Sequence, residues 1–314
     1  MGRRIRFVPE RSLVEITCRT IQGRYLLKPF TGWREIFIGA LARAQILYPV
    51  EIHAFVCLSN HFHLLVSPQD ARELAAFMRH LLSKLAIEAG RRHRWRGPLF
   101  QRRYQAILVS GETRAQVQRL RYLLSHGVKE NLVARVADWP GPHCFSSLAS
   151  GIEAKGVWHD RTAEWQARRR GREPKPGELD QSLTLALAPL PCWTGLEPDA
   201  RQRAVRELVE EAEDEAARQR HSQGATYLGA RAVLDQDPHH LPSASTRSPA
   251  PFCHAFTKRM RRELRKAYGI FLGAFREAAR RLTEGDRDAC FPSGSFPPAI
   301  PFEWAVGRPR SAPT

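Results

Sequence analysis

Several large classes are excluded by what this chain lacks. Its 314 residues contain no apolar run near the ~18 residues that a membrane-spanning helix needs. The basic opening Met1-Gly2-Arg3-Arg4-Ile5-Arg6 is not followed by the apolar stretch of a secretory signal. Six cysteines, at 18, 57, 144, 192, 253 and 290, include no C-x-x-C pair. Neither a disulfide scaffold nor a zinc ribbon is indicated, and a reducing cytoplasm is expected. The phosphate-cradling pattern G-x-x-x-x-G-K-[ST] is absent, so no nucleotide cofactor is expected. No internal repeat is visible.

Acidic residues are also in deficit. Lys and Arg number 49 against 32 Asp and Glu, a net charge of +17 with a pI near 10.4. Only seven of the cations are Lys, leaving 42 Arg, whose planar guanidinium suits bidentate contact with phosphate. Residues 1–150 hold 23 cations and 10 anions, a net of +13; residues 151–314 hold 26 and 22, a net of +4. A field of that size points to nucleic acid before membrane, the alternative being a basic protein that merely stays soluble.

The hydrophobic patterning gives the architecture. Leu13 to Thr20 reads as a strand and Gly32 to Leu47 as a helix. Glu51 to Leu58 and His61 to Ser67 read as two strands joined at Ser59-Asn60. Ala71 to Ala89 reads as a helix stopped by Gly90, Tyr104 to Val109 as a strand, and Glu112 to His126 as a helix. Strand, helix, two strands, helix, strand is the split β-α-β order of a ferredoxin-like α+β fold with an antiparallel sheet, here with one further helix. This domain is placed at residues 1–150. Residues 151–198, with Arg, Gly and Pro clustered, read as a linker. Residues 199–314 read as a mainly helical accessory region with helices over 199–221 and 254–282. Prolines should keep 236–251 irregular and 289–314 wrapped over the surface.

The sharpest local pattern is Asn60-His61-Phe62-His63-Leu64. Residues two apart on a strand share a face, so His61 and His63 project together while Phe62 and Leu64 turn to the core. Two imidazoles on one face are half a metal site. An isolated pair is more often two half-buried histidines satisfied by carbonyls. On the helix over 112–126, Val117, Leu120 and Leu124 form the apolar stripe, whereas Tyr122 and His126 lie together off it, one turn apart. The competing reading of Tyr122 is an amphipathic aromatic at a domain edge.

The order of these patterns resembles the single-tyrosine HUH transposases, and among them the REP-associated tyrosine transposases. The resemblance spans His53 to Leu148. It rests on His61-Phe62-His63, on Gly97-Pro98-Leu99-Phe100-Gln101-Arg102-Arg103-Tyr104, and on Tyr122 through Val133, with Trp139 and Ser146-Ser147 a looser match. The family has Asn-Pro where this chain has His126-Gly127; an imidazole can take the asparagine's place on a metal, and the lost proline should loosen the helix end.

The resemblance implies cleavage and rejoining of single-stranded DNA at palindromic, hairpin-forming elements. Tyr122 would be the nucleophile, and His61, His63 and His126 the ligands of one Mg²⁺ or Mn²⁺. The expected partner is single-stranded or hairpin DNA, held by a basic loop made of Arg91, Arg92, Arg94, Trp95, Arg96, Arg102 and Arg103, with Trp95 stacking on an unpaired base. The basic stretch over 258–266 is a second phosphate-contact candidate. A bacterial, cytoplasmic, nucleoid-associated monomer is expected, with a dimer as the alternative. Two other readings stay open: a hairpin-binding regulatory protein without catalysis, and a related nuclease serving replication or conjugation.

Overall fold

The computed structural model describes residues 4–242 and 251–296. Its strands are β1 (Val14–Arg19), β2 (Glu51–Cys57), β3 (His61–Ser67), β4 (Gln105–Val109), β5 (Ala154–His159), β6 (Asp180–Leu185) and β7 (Cys253–His254). Its helices are α1 (Trp33–Leu47), α2 (Ala71–His93), α3 (Thr113–Leu124), α4 (His126–Lys129), α5 (Phe145–Ser150), α6 (Arg161–Arg169), α7 (Pro198–Gln223), α8 (Ala230–Leu234) and α9 (Lys258–Thr283). No helix among the described residues is long and apolar enough to cross a membrane.

The main sheet has the order β2-β3-β1-β4-β7, the ferredoxin-like arrangement with one strand added at an edge. Its first four strands pair antiparallel; β7 joins β4 in parallel through Leu108↔Cys253 and Val109↔His254. The α+β expectation therefore holds, but the sheet is mixed rather than purely antiparallel, because two residues of the C-terminal region complete it.

Strand alternation separates the two faces. Val14, Ile16 and Cys18 of β1 and Phe62 and Leu64 of β3 are buried on one side. There Phe62 meets Phe37 of α1 edge-on, with ring centroids 5.8 Å apart. Glu15, Thr17, His61 and His63 point the other way, and α3 lies across that side against β2, β3 and β4. The tight turn Leu58–His61 closes β2 onto β3, with the Leu58 amide donating to the His61 carbonyl at 2.8 Å.

The stretch 151–198, expected as a linker, is folded. β5 and β6 form a two-stranded antiparallel sheet that packs on α1. The contact requires glycine at two positions: a Cβ on Gly39 would fall 2.2 Å from the Val157 carbonyl oxygen, and one on Gly156 2.1 Å from the Gly39 nitrogen. A charged network fastens the unit to α2. Lys84 pairs with Glu88 at 2.8 Å, Glu88 with Arg161 at 2.5 Å, and Arg161 with Glu164 at 2.7 Å. Local Arg, Gly and Pro content concealed a unit whose core is borrowed from α1.

Two helix ends also differ from expectation. α2 passes through Gly90 and stops at Arg94, which adopts φ 52°, while the Trp95 amide donates back to the Gly90 carbonyl at 2.9 Å. His93, buried against Phe30, rewards the extra turn. The helix expected to run to 126 breaks at Ser125 into α3 and α4. In the accessory region α7 docks through Val205, Val209, Ala212 and Ala216, a helical stripe of small apolar side chains. The described parts of 236–251 and 289–296 hold no helix or strand apart from the sheet edge that follows; residues 243–250 and the proline-rich tail from 297 lie outside the described residues.

Candidate metal and tyrosine centre

The β1–β3 register sets Thr17 opposite His63 and Arg19 opposite His61, so the imidazoles stand on the α3 side of the two central strands. α4 begins with His126, which the break at Ser125 turns toward the sheet. The His61 and His126 Nε2 atoms are 3.1 Å apart, and one ligand nitrogen from each of His61, His63 and His126 falls within 4.8 Å of the others. Tyr122 closes the group: its ring meets those of His126 and His63 edge-on, with centroids 4.8 and 5.7 Å away. Four side chains from two distant segments thus share one small volume.

Neighbouring acceptors fix the ring orientations. The His63 Nδ1–H donates to Glu15 Oε1 at 2.9 Å, with Thr17 Oγ1 at 3.1 Å. The His61 Nδ1–H donates to Asn60 Oδ1 at 2.6 Å, and Asn60 Nδ2 in turn donates to the Gly23 carbonyl at 3.2 Å. Both imidazoles therefore present Nε2 lone pairs, the tautomer a metal requires. Burial, reinforced by neighbouring positive charge, lowers the pKa of His61 and of His126 well below the ordinary value. Both are neutral at pH 7, again the ligating form.

The donor set fits a divalent cation. Cis ligands on one ion at ~2.1 Å stand roughly 3 Å apart, which is the spacing of the two Nε2 atoms. The His126 Nδ1 is buried without a hydrogen-bond partner, and its Nε2 faces only the lone-pair side of His61. A neutral His126 carries one N–H: on Nε2 it donates to His61, and a cation between the two nitrogens would take that proton's place and leave it on Nδ1.

Three residues missed in the sequence organise the far side of the centre. Glu15, 2 % exposed on the central strand, receives His63 on one oxygen and has His254 Nε2 at 2.6 Å and Arg119 Nε at 3.5 Å from the other. Burial works against its charge, but the His254 contact, the His63 hydrogen bond and the Arg119 charge outweigh it and hold the carboxyl well below the usual range. Arg119 also lies over the Tyr122 ring, its guanidinium carbon 4.0 Å from the centroid; the Lys129 ammonium is at 4.7 Å. Burial and the Glu15 charge raise the Tyr122 pKa, with Arg119 opposing. Glu15 and Arg119 carried signals in the sequence: a carboxylate on the polar side of an alternating strand, and a cation one turn before the tyrosine. His254, 135 residues beyond Arg119, carried none.

A cleft of about 480 Å³ opens beside Tyr122, lined by Arg119, Arg121, Lys129, His254 and Arg261 among others. None of the seven residues expected to bind DNA lines it. Arg91 and Arg92 belong to α2 rather than to a loop. Arg91 faces Glu164 at 3.6 Å and Arg92 lies over Phe30. Arg92 and Arg94 border a different cleft with Lys28. Arg96, Arg102 and Arg103 are exposed. Trp95 is not an open platform: its indole donates to the Pro98 carbonyl at 3.2 Å, and its ring is packed by His239 and Arg24. Trp139, the looser match, is buried and donates to the Cys57 carbonyl at 3.1 Å.

No family model and no curated protein matches the chain. Among solved structures, it is similar to a REP-associated tyrosine transposase bound to a REP hairpin. The identity is 20 % with a TM-score of 0.41, covering 48 % of this chain and 88 % of that one. A "putative transposase" from Deinococcus radiodurans is also 20 % identical, with a TM-score of 0.27, over 38 % of this chain and 94 % of that one.

Proposed function

We propose that this protein cleaves and rejoins single-stranded DNA as a tyrosine transposase-type strand transferase, acting on hairpin-forming elements. One observation carries the reading: His61, His63 and His126 converge on the polar side of the sheet, and the Tyr122 ring meets those of His126 and His63 with centroids 4.8 and 5.7 Å away. The Tyr122 ring packs partly against the core and also borders an open cleft lined by Arg119, Arg121, Lys129 and Arg261, which leaves it reachable by a substrate.

A Mg²⁺ or Mn²⁺ ion held by the three imidazoles would polarise the scissile phosphate. Arg119 and Lys129 place positive charge against the tyrosine ring, where a phenolate and phosphate oxygens carry negative charge during attack. The Tyr122 oxygen attacks phosphorus and loses its proton. The bond from phosphorus to the 3′ oxygen breaks, and that oxygen leaves with the electron pair to become a 3′-hydroxyl. The product is a 5′-phosphotyrosine, which preserves a phosphodiester that a second 3′-hydroxyl can attack without ATP. Glu15 keeps His63 aimed, and Asn60 does the same for His61.

The test incubates the full chain with end-labelled single strands bearing palindromes from its own genome, with divalent metal or with chelator. A covalent adduct on a denaturing gel is expected with metal, and its loss in Tyr122→Phe with DNA binding retained. Cleavage by Tyr122→Phe at the wild-type rate would end the reading.

A further inference from the structure

We infer that the outward side of α9 is a docking ridge for double-helical DNA that continues from the tyrosine centre; this rests on the function proposed above. α9 is 26 residues long, about 39 Å at 1.5 Å per residue. At 100° per residue its apolar side chains gather on one side. Phe271 and Ala278 are buried there, and Phe271 meets Phe7 with ring centroids 4.5 Å apart. Tyr268 and Phe275 complete that side against Phe252 and Phe291.

Over residues 258–276 the opposite side carries Lys258, Arg262, Arg265, Lys266, Gly269, Gly273 and Arg276, all exposed; further on, Arg280 shares that side and pairs with Glu277 and Glu284. Among the described residues none of the first five cations pairs with a carboxylate. The ion pairs recorded on α9 belong to Arg259, Arg280 and Arg281. An ordinary solvated helix surface alternates charges of both signs; between residues 258 and 276 this side carries cations alone.

The ridge begins at the candidate active site. His254, four residues before α9, contacts Glu15, and the Phe256 and Thr257 amides donate to the Glu112 carboxylate at the start of α3. Arg261, on the first turn of α9, lines the cleft beside Tyr122. Arg265 is the next cation along. A nucleic acid whose reacting phosphate lies at Tyr122 therefore meets α9 as it leaves.

The spacing favours a duplex over a single strand. Four cations crowd the first turns, and Arg276 stands about 15 Å beyond Lys266. Between them the helix surface is bare at Gly269 and Gly273, where nothing lies within 4 Å of a would-be Cβ. That is the layout of a helix laid across a groove about 12 Å wide, with a phosphate strand at each side. An anionic membrane is a poorer fit. A helix binding a bilayer inserts its apolar side, and here that side is already covered by Phe7, Phe252 and Phe291.

The experiment compares the full wild-type chain with the quadruple variant Arg262→Ala, Arg265→Ala, Lys266→Ala and Arg276→Ala. Anisotropy titrations use a blunt duplex of about two helical turns, an unstructured single strand of equal length, and anionic vesicles, over a range of salt. Among the described residues these four side chains are exposed and make no ion pair, and an unchanged circular dichroism melt checks that the variant folds. The variant should bind the duplex at least roughly tenfold more weakly near 0.15 M salt. The slope of log K against log salt should fall by about 3 to 4, and single-strand binding should change less. Equal duplex affinity and slope in both proteins overturns the ridge. So does an equal loss for both DNA forms, or a loss confined to vesicles. Failure of the underlying function reads differently: the wild-type chain would then give no phosphotyrosine adduct at all.

Discussion

Glu15 holds His63 by a 2.9 Å hydrogen bond across neighbouring strands, and the same carboxylate reaches His254 on the C-terminal edge strand. One buried anion thus ties a proposed metal ligand to the accessory region. Replacing Glu15 with Gln keeps the shape but lets the His63 Nδ1–H lose its charged acceptor. Metal affinity should fall about 10- to 100-fold, as for other carboxylates that orient a ligating histidine. Calorimetric titration with Mn²⁺ measures it, and an unchanged affinity would remove Glu15 from the site.

The three-imidazole set bears on which ion is held. Imidazole favours transition ions, whereas Mg²⁺ prefers oxygen donors. The wild-type chain should bind Mn²⁺ at least about tenfold more tightly than Mg²⁺. His126→Asn, which exchanges a nitrogen for an oxygen donor, should narrow that gap. Titration of both proteins with each ion is the check, and an equal preference before and after the exchange would contradict it.

The polar side of the central sheet was readable because strand alternation is strict. His61, His63, Glu15 and Thr17 all obey it, and Tyr122 stands off the apolar stripe of its helix. Glu15 was nonetheless passed over, since the signal of a carboxylate on the polar side of a strand takes a meaning only once its partner is known. What could not be read was long-range pairing. β7 is two residues long and becomes a strand only because β4 offers an edge. The β5–β6 unit has little core of its own, and its glycines and arginines read as punctuation until α1 and α2 are beside them. The surroundings of Trp95 were hidden for the same reason: the residues against its ring, His239 and Arg24, are distant in sequence.

Gly39 gives a direct test of that borrowed core. By helix propensity alone, Gly39→Ala inside α1 should stabilise by about 1 kcal/mol. The backbone of Val157 occupies the space a methyl group needs, so overpacking should win. The expected result is a net loss of roughly 3 kcal/mol or more, measured by urea unfolding. A stabilised variant would show that β5 and β6 do not pack on α1 as described.

His143 predicts how acid affects the fold. Its ring is 6 % exposed, with Nε2–H donating to the Leu124 carbonyl at 3.1 Å and Nδ1 accepting from the Phe145 amide at 3.0 Å. Both nitrogens are satisfied only in the neutral ring. Burial, with the Arg34 charge adding to it, lowers the pKa to about 4. The unfolded chain takes a proton near pH 6.5, whereas the folded chain refuses it until about pH 4. The stability contributed is therefore complete above about pH 6.5, declines between about 6.5 and 4, and is lost below, a change on the order of 3 kcal/mol. His143→Gln removes this titration. Urea midpoints at intervals across that pH range should fall less steeply for the variant than for the wild type. His93, lowered to about 4 by burial with contributions from Lys28 and Arg92, titrates in the same direction in both proteins and cancels in the comparison. Parallel curves for the two proteins would mean that the His143 ring accepts its proton in the folded chain as readily as in the unfolded one.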